Sequence, residues 1–455
     1  MSGNKWRACF GAGVILALAL LPTASAADDF QTCEKESGDV AIAACTRAIA
    51  SGRYKGHNLA VLHNNRCVEY NNKRDSERAL GDCTEAILLD PKYADPYDSR
   101  GDAYKAKGDY DRAIADYQQA LSIQKKALGP DHPDVATALN NLADLYDRQG
   151  RYAEAEPLYK RSLAIREKAL GPDHRDVATA LNNLAVLYQK QRRYAEAEPL
   201  FKRTLAIDEK ALGPDHRDVA LTLYNLAALY MNLRGRDAEA EALFKRSLAI
   251  REKALGPEHP DVALTLYNLA KLYADQFRWA EAEPLYKRSL AIREKALGPD
   301  DLYVAGSLDG LAMMIANQNR YSEAESLFKR SLAIREKALG PNHPYVAWSL
   351  NSLADLYSNQ GRYAEAEPLY KRALAIDEKA RGPDHRDVAT ALNNLAMLYD
   401  HQDRTAEAEP LLKRSLVICE KALGPDDPDV ATALNNLAML YDKQGRHAEA
   451  EPLYK

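Results

Sequence analysis

Apolar residues fall at Val135, Leu139, Leu142 and Tyr146, spaced by four, three and four, in the stretch VATALNNLADLYDRQGR. Steps of three and four return to one side of a 3.6-residue turn, so the spacing predicts a helix with a single apolar stripe. The next stretch, YAEAEPLYKRSLAIREKALG, carries Ala155, Leu158, Tyr159, Leu163 and Ile165 in the same rhythm and stops at Gly171-Pro172. Glycine is expected to take the left-handed cap there, and proline to prevent continuation. Asp131-His132-Pro133 gives a polar entry with proline in the first turn, where its missing N–H removes no bond. One unit therefore reads as a helix, a turn containing Gly150 and a second helix.

That unit is copied along the chain. Its Gly-Pro pair recurs at Gly129, Gly171, Gly213, Gly256, Gly298, Gly340, Gly382 and Gly424. Every interval is 42 residues except one of 43, which traces to an extra residue between Asn232 and Asp237. Upstream the period shortens to 34: Gly101, Tyr104, Ala113, Tyr117 and Ala120 mark one unit, and Cys67, Tyr70, Ala79, Cys83, Ala86 and Pro91 the one before it. A degenerate first unit lies around Cys33 to Ala50. A helix pair of this size cannot bury its apolar faces alone, so the copies must stack.

The units resemble the tetratricopeptide repeat, in the 42-residue form of kinesin light chains and many bacterial proteins. Ala143 stands at the family's small position in the first helix, with Tyr146 three later and Gly150 at the turn; Ala155, Tyr159 and Ser162 match the small, aromatic and small positions of the second helix. The resemblance implies an all-α, right-handed superhelical solenoid of antiparallel helix pairs. It divides the chain into 34-residue-type units over 27–127 and seven full and one partial 42-residue units over 128–455. It also implies a non-enzymatic scaffold that holds a protein or peptide partner in a concave groove lined by the first helices.

In the family the groove positions lie three before and one, four and five after the small alanine. Asn140, Asp144 and Asp147 are separated by four and three and share one face. Asparagine fills the first position at Asn140, Asn182, Asn351, Asn393 and Asn435, and a primary amide offers a peptide backbone both a donor and an acceptor. The middle units carry Tyr224, Tyr267 and Asp309 at that position, with Leu221, Leu264, Met231, Lys271, Met313 and Trp348 nearby. Aromatic residues and methionine are favoured anchors at interfaces. The expected groove has amide-lined ends and a more apolar, aromatic middle, suited to an extended segment or helix of a partner.

Composition narrows the alternatives. With 61 basic and 66 acidic residues the net charge is −5, without the basic footprint of a nucleic-acid binder. No phosphate-binding loop, zinc-protease motif or nucleophile elbow stands in the chain, so neither a catalytic residue nor a cofactor is expected. The Glu154 and Glu156 type carboxylates read as solvated helix surface. Six histidines, His132, His174, His216, His259, His343 and His385, occupy the same helix entry in separate copies, with Asp301 and Asp427 substituting; copies about 20 Å apart cannot share a metal.

Lys5 and Arg7, the apolar run Ala8 to Leu21, and Ala24-Ser25-Ala26 read as a signal peptide over 1–26, so the chain is expected to be exported to a periplasm or secreted, without membrane insertion after the leader is removed. Of the cysteines that remain, Cys33, Cys45, Cys67 and Cys83 allow three connectivities. Pairing Cys33 with Cys45 and Cys67 with Cys83 would link the facing helices of one unit; the alternative is buried free thiols. Cys419 is alone and reads as incidental. Lys455 falls in the middle of an expected second helix, which leaves two further expectations: end-to-end self-association through an uncapped end, or a sensing arm of a longer caspase-like or other effector enzyme.

Overall fold

The computed structural model describes residues 26–424 and 427–455, so the expected leader lies outside the described residues up to its position 25. Every regular element among them is a helix. In chain order these are α1 (Ala26–Lys35), α2 (Gly38–Ala50), α3 (Gly56–Asn72), α4 (Ser76–Leu89), α5 (Asp95–Ala106), α6 (Tyr110–Leu128), α7 (Pro133–Arg148), α8 (Tyr152–Leu170), α9 (Arg175–Lys190), α10 (Tyr194–Leu212) and α11 (Arg217–Tyr230). They continue as α12 (Asp237–Leu255), α13 (Pro260–Asp275), α14 (Trp279–Leu297), α15 (Leu302–Asn317), α16 (Tyr321–Leu339), α17 (Pro344–Asn359), α18 (Tyr363–Arg381), α19 (Arg386–His401), α20 (Thr405–Leu423), α21 (Pro428–Lys443) and α22 (His447–Tyr454). They pack as two compact units, the first ending at Leu200 and the second running from Phe201 to Lys455.

Within each unit a helix packs on the one before it and the one after it, most extensively on its partner in the same copy. The predicted stripe is the reason: Val135, Leu139, Leu142, Ala143 and Tyr146 of α7 are buried, as are Ala155, Tyr159 and Ile165 of α8. Ser162, buried among them, donates its hydroxyl to the Ala136 carbonyl at 2.7 Å, a bond that Ser247, Ser289 and Ser415 repeat in their own copies. A small side chain at this place lets the helices approach, and its one polar atom is satisfied. In the shorter copies an arginine and an aspartate join the two helices instead: Arg66 and Arg100 grip Asp82 and Asp116 through two bonds each, all at 2.7–2.8 Å.

The second helices end differently from the sequence expectation. Gly171 and Gly298 have φ of 86° and 90° with ψ of 160° and 157°. This is an extended conformation at positive φ, not the left-handed cap, and it is open only to glycine. The turn between the two helices of a copy does use the left-handed region: Gly150 has φ 73°, and Arg192 and Phe277 hold φ of 59° and 61° at the same place in later copies.

The recurring histidines cap the first helices. The Asp134 N–H donates to His132 Nδ1 at 3.3 Å, and the Asp176, Asp218, Asp261, Tyr345 and Asp387 N–H groups make the same bond to their histidines at 3.1 Å. Asp301 and Asp427 accept the equivalent bond at 2.7 and 2.9 Å, which explains why aspartate can replace histidine there. Among the described residues no cluster of His, Cys, Asp or Glu could hold a metal, and no helix is long and apolar enough to cross a membrane.

The Cys33 and Cys45 sulfurs stand at bonding distance between α1 and α2, and those of Cys67 and Cys83 between α3 and α4. One expectation needs correction: in six copies the glutamate at the position of Glu156 is not a solvated group, whereas Glu451 in the last copy is exposed. Glu156 receives Arg193 of the following copy at 2.6 Å, and Glu241, Glu283, Glu325, Glu367 and Glu409 receive Arg278, Arg320, Arg362, Arg404 and Arg446 at 2.6–2.8 Å. Each of these arginines but Arg320 also lies over a tyrosine ring, as Arg278 does over Tyr273 at 4.0 Å. The glutamate thus ties one copy to the next.

Candidate functional site

The first helices carry the candidate residues on a face where copies differ. In the first unit, Asn140 lines a small cavity with Asp147, Tyr159 and Lys190. Its oxygen already accepts a bond from Asn183 Nδ2 at 2.9 Å, and in the second unit Asn393 accepts one from Asn436 Nδ2 at 2.8 Å. These amides are links between copies, so for a peptide backbone their donors and one lone pair of each oxygen remain. Asp147 is also buried and bonded to Lys190 at 2.6 Å, so Asn140, Asp144 and Asp147 do not form one free face. Asn435 is exposed and turns its amide to Met439 Sδ.

In the second unit the aromatic replacements are built in from below. Tyr224 packs edge-on against Phe244 with centroids 5.7 Å apart, and Tyr267 against Tyr286 at 5.4 Å. Tyr224 also accepts the Asn268 amide at 2.8 Å. Tyr267 has its room because residue 310 is glycine: a Cβ at Gly310 would come within 2.7 Å of the ring. Both tyrosines are half-buried. Met313 and Trp348 are the exposed candidates, Trp348 at 44%, and Lys271 is exposed 4.0 Å from Asp275.

A second layer lies under these rings. Arg251, Arg293 and Arg335 occupy one position in three successive copies and are buried. Their guanidinium carbons stand 5.0 Å from the Tyr224 ring, 5.2 Å from Tyr267 and 4.8 Å from Trp348. Each also donates fourteen residues onward to a hydroxyl of the next copy: Arg251 to Thr265 at 2.8 Å, Arg293 to Ser307 at 2.7 Å, and Arg335 to Ser349. Burial pulls the Arg251 and Arg293 guanidinium groups below their usual range. At Asp208 the pair is inverted, with Thr222 donating to the carboxylate at 2.9 Å.

The pairing fails one copy later. Asp377 stands in the arginine position, but the residue fourteen onward is Ala391. Asp377 is buried, and the arginine on its own helix, Arg381, approaches only to 3.7 Å while bonding Asp387 at 2.8 Å. Burial, helped by repulsion from Asp387, pushes the Asp377 carboxyl up to about 6. Asp309, 1% exposed, faces Arg335 Nη2 at 2.6 Å, yet its Oδ1 has no hydrogen-bond partner, and burial pushes it up to about 6 as well.

Both acids open into one cavity of about 390 Å³ in the second unit. The structure thus brings Tyr267, Trp348 and Asn351 of the candidate set together there, with Asp309, and leaves Asn182, Tyr224, Lys271, Met313 and Asn435 outside it. Asn393 lines a separate cavity of about 240 Å³ beside Cys419. Arg335, Tyr345, Asp377, Arg381 and Asp387 also line the central cavity and were not anticipated. Comparison among copies could have found two of them: Tyr345 replaces an aspartate at the helix entry, and Asp377 replaces an arginine.

Paired helices stacked copy on copy define a helical-repeat protein. The tetratricopeptide repeat model matches residues 176–253, 218–295, 303–379, 352–416 and 387–455, more than half of the chain, and the nephrocystin-3 TPR domain model matches 64–211. The chain belongs to the tetratricopeptide repeat family. Among solved structures it is similar to a putative kinesin light chain with nearly identical TPR-like repeats from Podosopora anserina, at 28% identity over 45% of this chain and 97% of that one, with a TM-score of 0.40. BtubC (BKLC) from P. vanneervenii is 26% identical over 50% of this chain and 92% of that one, with a TM-score of 0.43. The apo form of RapI shares the fold, at 17% identity over 62% of this chain and 97% of that one and a TM-score of 0.50. A search of the curated proteins finds no match to the chain.

Proposed function

We propose that this chain is an exported scaffold whose second unit binds a segment of a partner polypeptide across the first helices of its central copies. The observation that carries the reading is the cavity of about 390 Å³, where Tyr267, Asp309, and Trp348 with Asn351, from three successive copies, converge. Repeat packing alone gives no reason for it: the stripe residues are already buried, yet Tyr303, Met313, Tyr345 and Trp348 remain exposed in adjoining copies. Large, rigid apolar side chains left in solvent at neighbouring positions are what an interface core requires. Export rests on the expected leader, and the paired sulfurs of Cys33 with Cys45 and Cys67 with Cys83 suit an oxidising compartment.

The test is selection of a displayed peptide library on the full chain, followed by titration of the selected peptides. Tyr224 and Tyr267 are packed and would report on folding, so the variant to use is Met313→Ala with Tyr345→Ala and Trp348→Ala. Selected peptides should lose at least tenfold in affinity, about 1.4 kcal/mol, while helical content by circular dichroism stays unchanged. Equal affinity for both proteins would remove the function from this face.

A further inference from the structure

The central cavity carries more information than its aromatic wall. Its buried polar atoms are mostly acceptors in need of donors. Asp309 Oδ1 and Asn351 Oδ1 are buried without a hydrogen-bond partner, and Asp377 lacks the hydroxyl that its counterpart Asp208 receives from Thr222. Buried acceptors left unpaired are unfavourable by about 1–3 kcal/mol each, so a ligand that supplies donors gains what the fold leaves unsatisfied.

The charges point the same way. Three carboxylates, Asp309, Asp377 and Asp387, face two guanidinium groups. Arg335 is engaged by Asp309, Ser349 and the Trp348 ring, and Arg381 by Asp387 at 2.8 Å. One negative charge is left over at neutral pH. An acidic partner would approach two buried carboxylates, which is repulsive, and an apolar one would seal unpaired oxygens from water. A cation satisfies both, and the rings of Tyr267, Tyr345 and Trp348 favour one further.

Resting on the reading of this face as a polypeptide-binding surface, we infer that the cavity takes one basic side chain, arginine or lysine, of the partner segment. The side chain enters past Tyr345 and Trp348 and donates to Asp309, Asp377 and Asn351. The two acids come from helices α15 and α18, on either side of the Trp348 helix α17, so the site exists only where these copies adjoin.

The experiment is a fluorescence titration of Trp348, in the full chain carrying Trp6→Phe and Trp279→Phe, with blocked peptides identical except for a central arginine, lysine, citrulline, leucine or glutamate. Arginine and lysine peptides should give a saturable change. Citrulline, which keeps the shape of arginine without its charge, should bind about tenfold or more weakly. Asp309→Asn, the residue that five other copies carry at this position, and Asp377→Asn should each bring the arginine peptide down to the citrulline level with helical content intact. Equal binding of all five peptides overturns the inference and leaves the groove reading standing. Saturation by acetyl-arginine amide as tight as by the peptide overturns it in favour of a site for small cations. No saturable change with any peptide also overturns it, and the display selection then decides the groove reading separately.

Discussion

A histidine ring can cap a helix only while Nδ1 keeps its lone pair for a backbone N–H. His259 does this for Asp261 at 3.1 Å, and Asp301 does it with a carboxylate one copy later. His259→Ala should therefore destabilise the chain by about 1 kcal/mol, within the usual range for a lost cap, whereas His259→Asp should be close to neutral; urea unfolding of both variants checks the pair. The role of these histidines was legible from their position before a recurrent helix and from the Asp substitutions. The engagement of Asn140 and Asn393 was not, because a periodic pattern says which face a residue occupies and nothing of what the next copy extends toward it. Asp377 lay between these cases. Its departure from arginine is visible in a comparison of copies, but the missing partner appears only when residue fourteen onward is read as its neighbour.

At the scale of the element, the helix pair was legible almost whole, since the stripe from Val135 to Tyr146 alone predicts α7 and its buried side. What the sequence left open was how helices end. Gly298 has φ 90° and ψ 157°, and a Cβ there would meet no atom within 4 Å. Any penalty for a side chain is thus one of backbone conformation alone. Gly298→Ala should cost about 1–3 kcal/mol, measurable as a lower unfolding midpoint, whereas crowding would have required a neighbour to clash. The ties between copies respond to acid. Hydrogen bonds from the arginine of the next copy, with the nearby lysine, hold the Glu156, Glu241, Glu325, Glu367 and Glu409 carboxyls down to about 2. An acid whose folded value is depressed stabilises the fold above its unfolded value, about 4.3, and loses that contribution as pH falls through the folded one. Stability should therefore decline from about pH 4.5 toward pH 2, and Glu325→Gln with Glu367→Gln should flatten that decline in urea titrations.

At the scale of the whole molecule, the two compact units differ in what supports them. The first contains the paired cysteines, each closing a loop of 12 or 16 residues, and the second contains none. A cross-link over about 15 residues contributes about 3 kcal/mol by restricting the unfolded chain. Reduction with dithiothreitol should speed amide exchange across α1 to α4 and leave α13 to α20 unchanged; equal acceleration in both would show that the cross-links support more than their own helices.

The fourteen-residue pairing between copies also bears on how such a chain can change its length. Arg251, Arg293 and Arg335 each meet a hydroxyl that belongs to the following copy, so losing or duplicating one 42-residue segment there joins an arginine to another threonine or serine and keeps the junction matched. Beyond Ser349 the series stops, because the next junction sets Asp377 against Ala391. The copies from Tyr267 to Asp387 that line the cavity are not interchangeable, and together they mark a fixed address in a tract that can lengthen or shorten ahead of them. Growth or shrinkage of the gene ahead of those copies would carry the cavity along intact while altering how much helical surface precedes it.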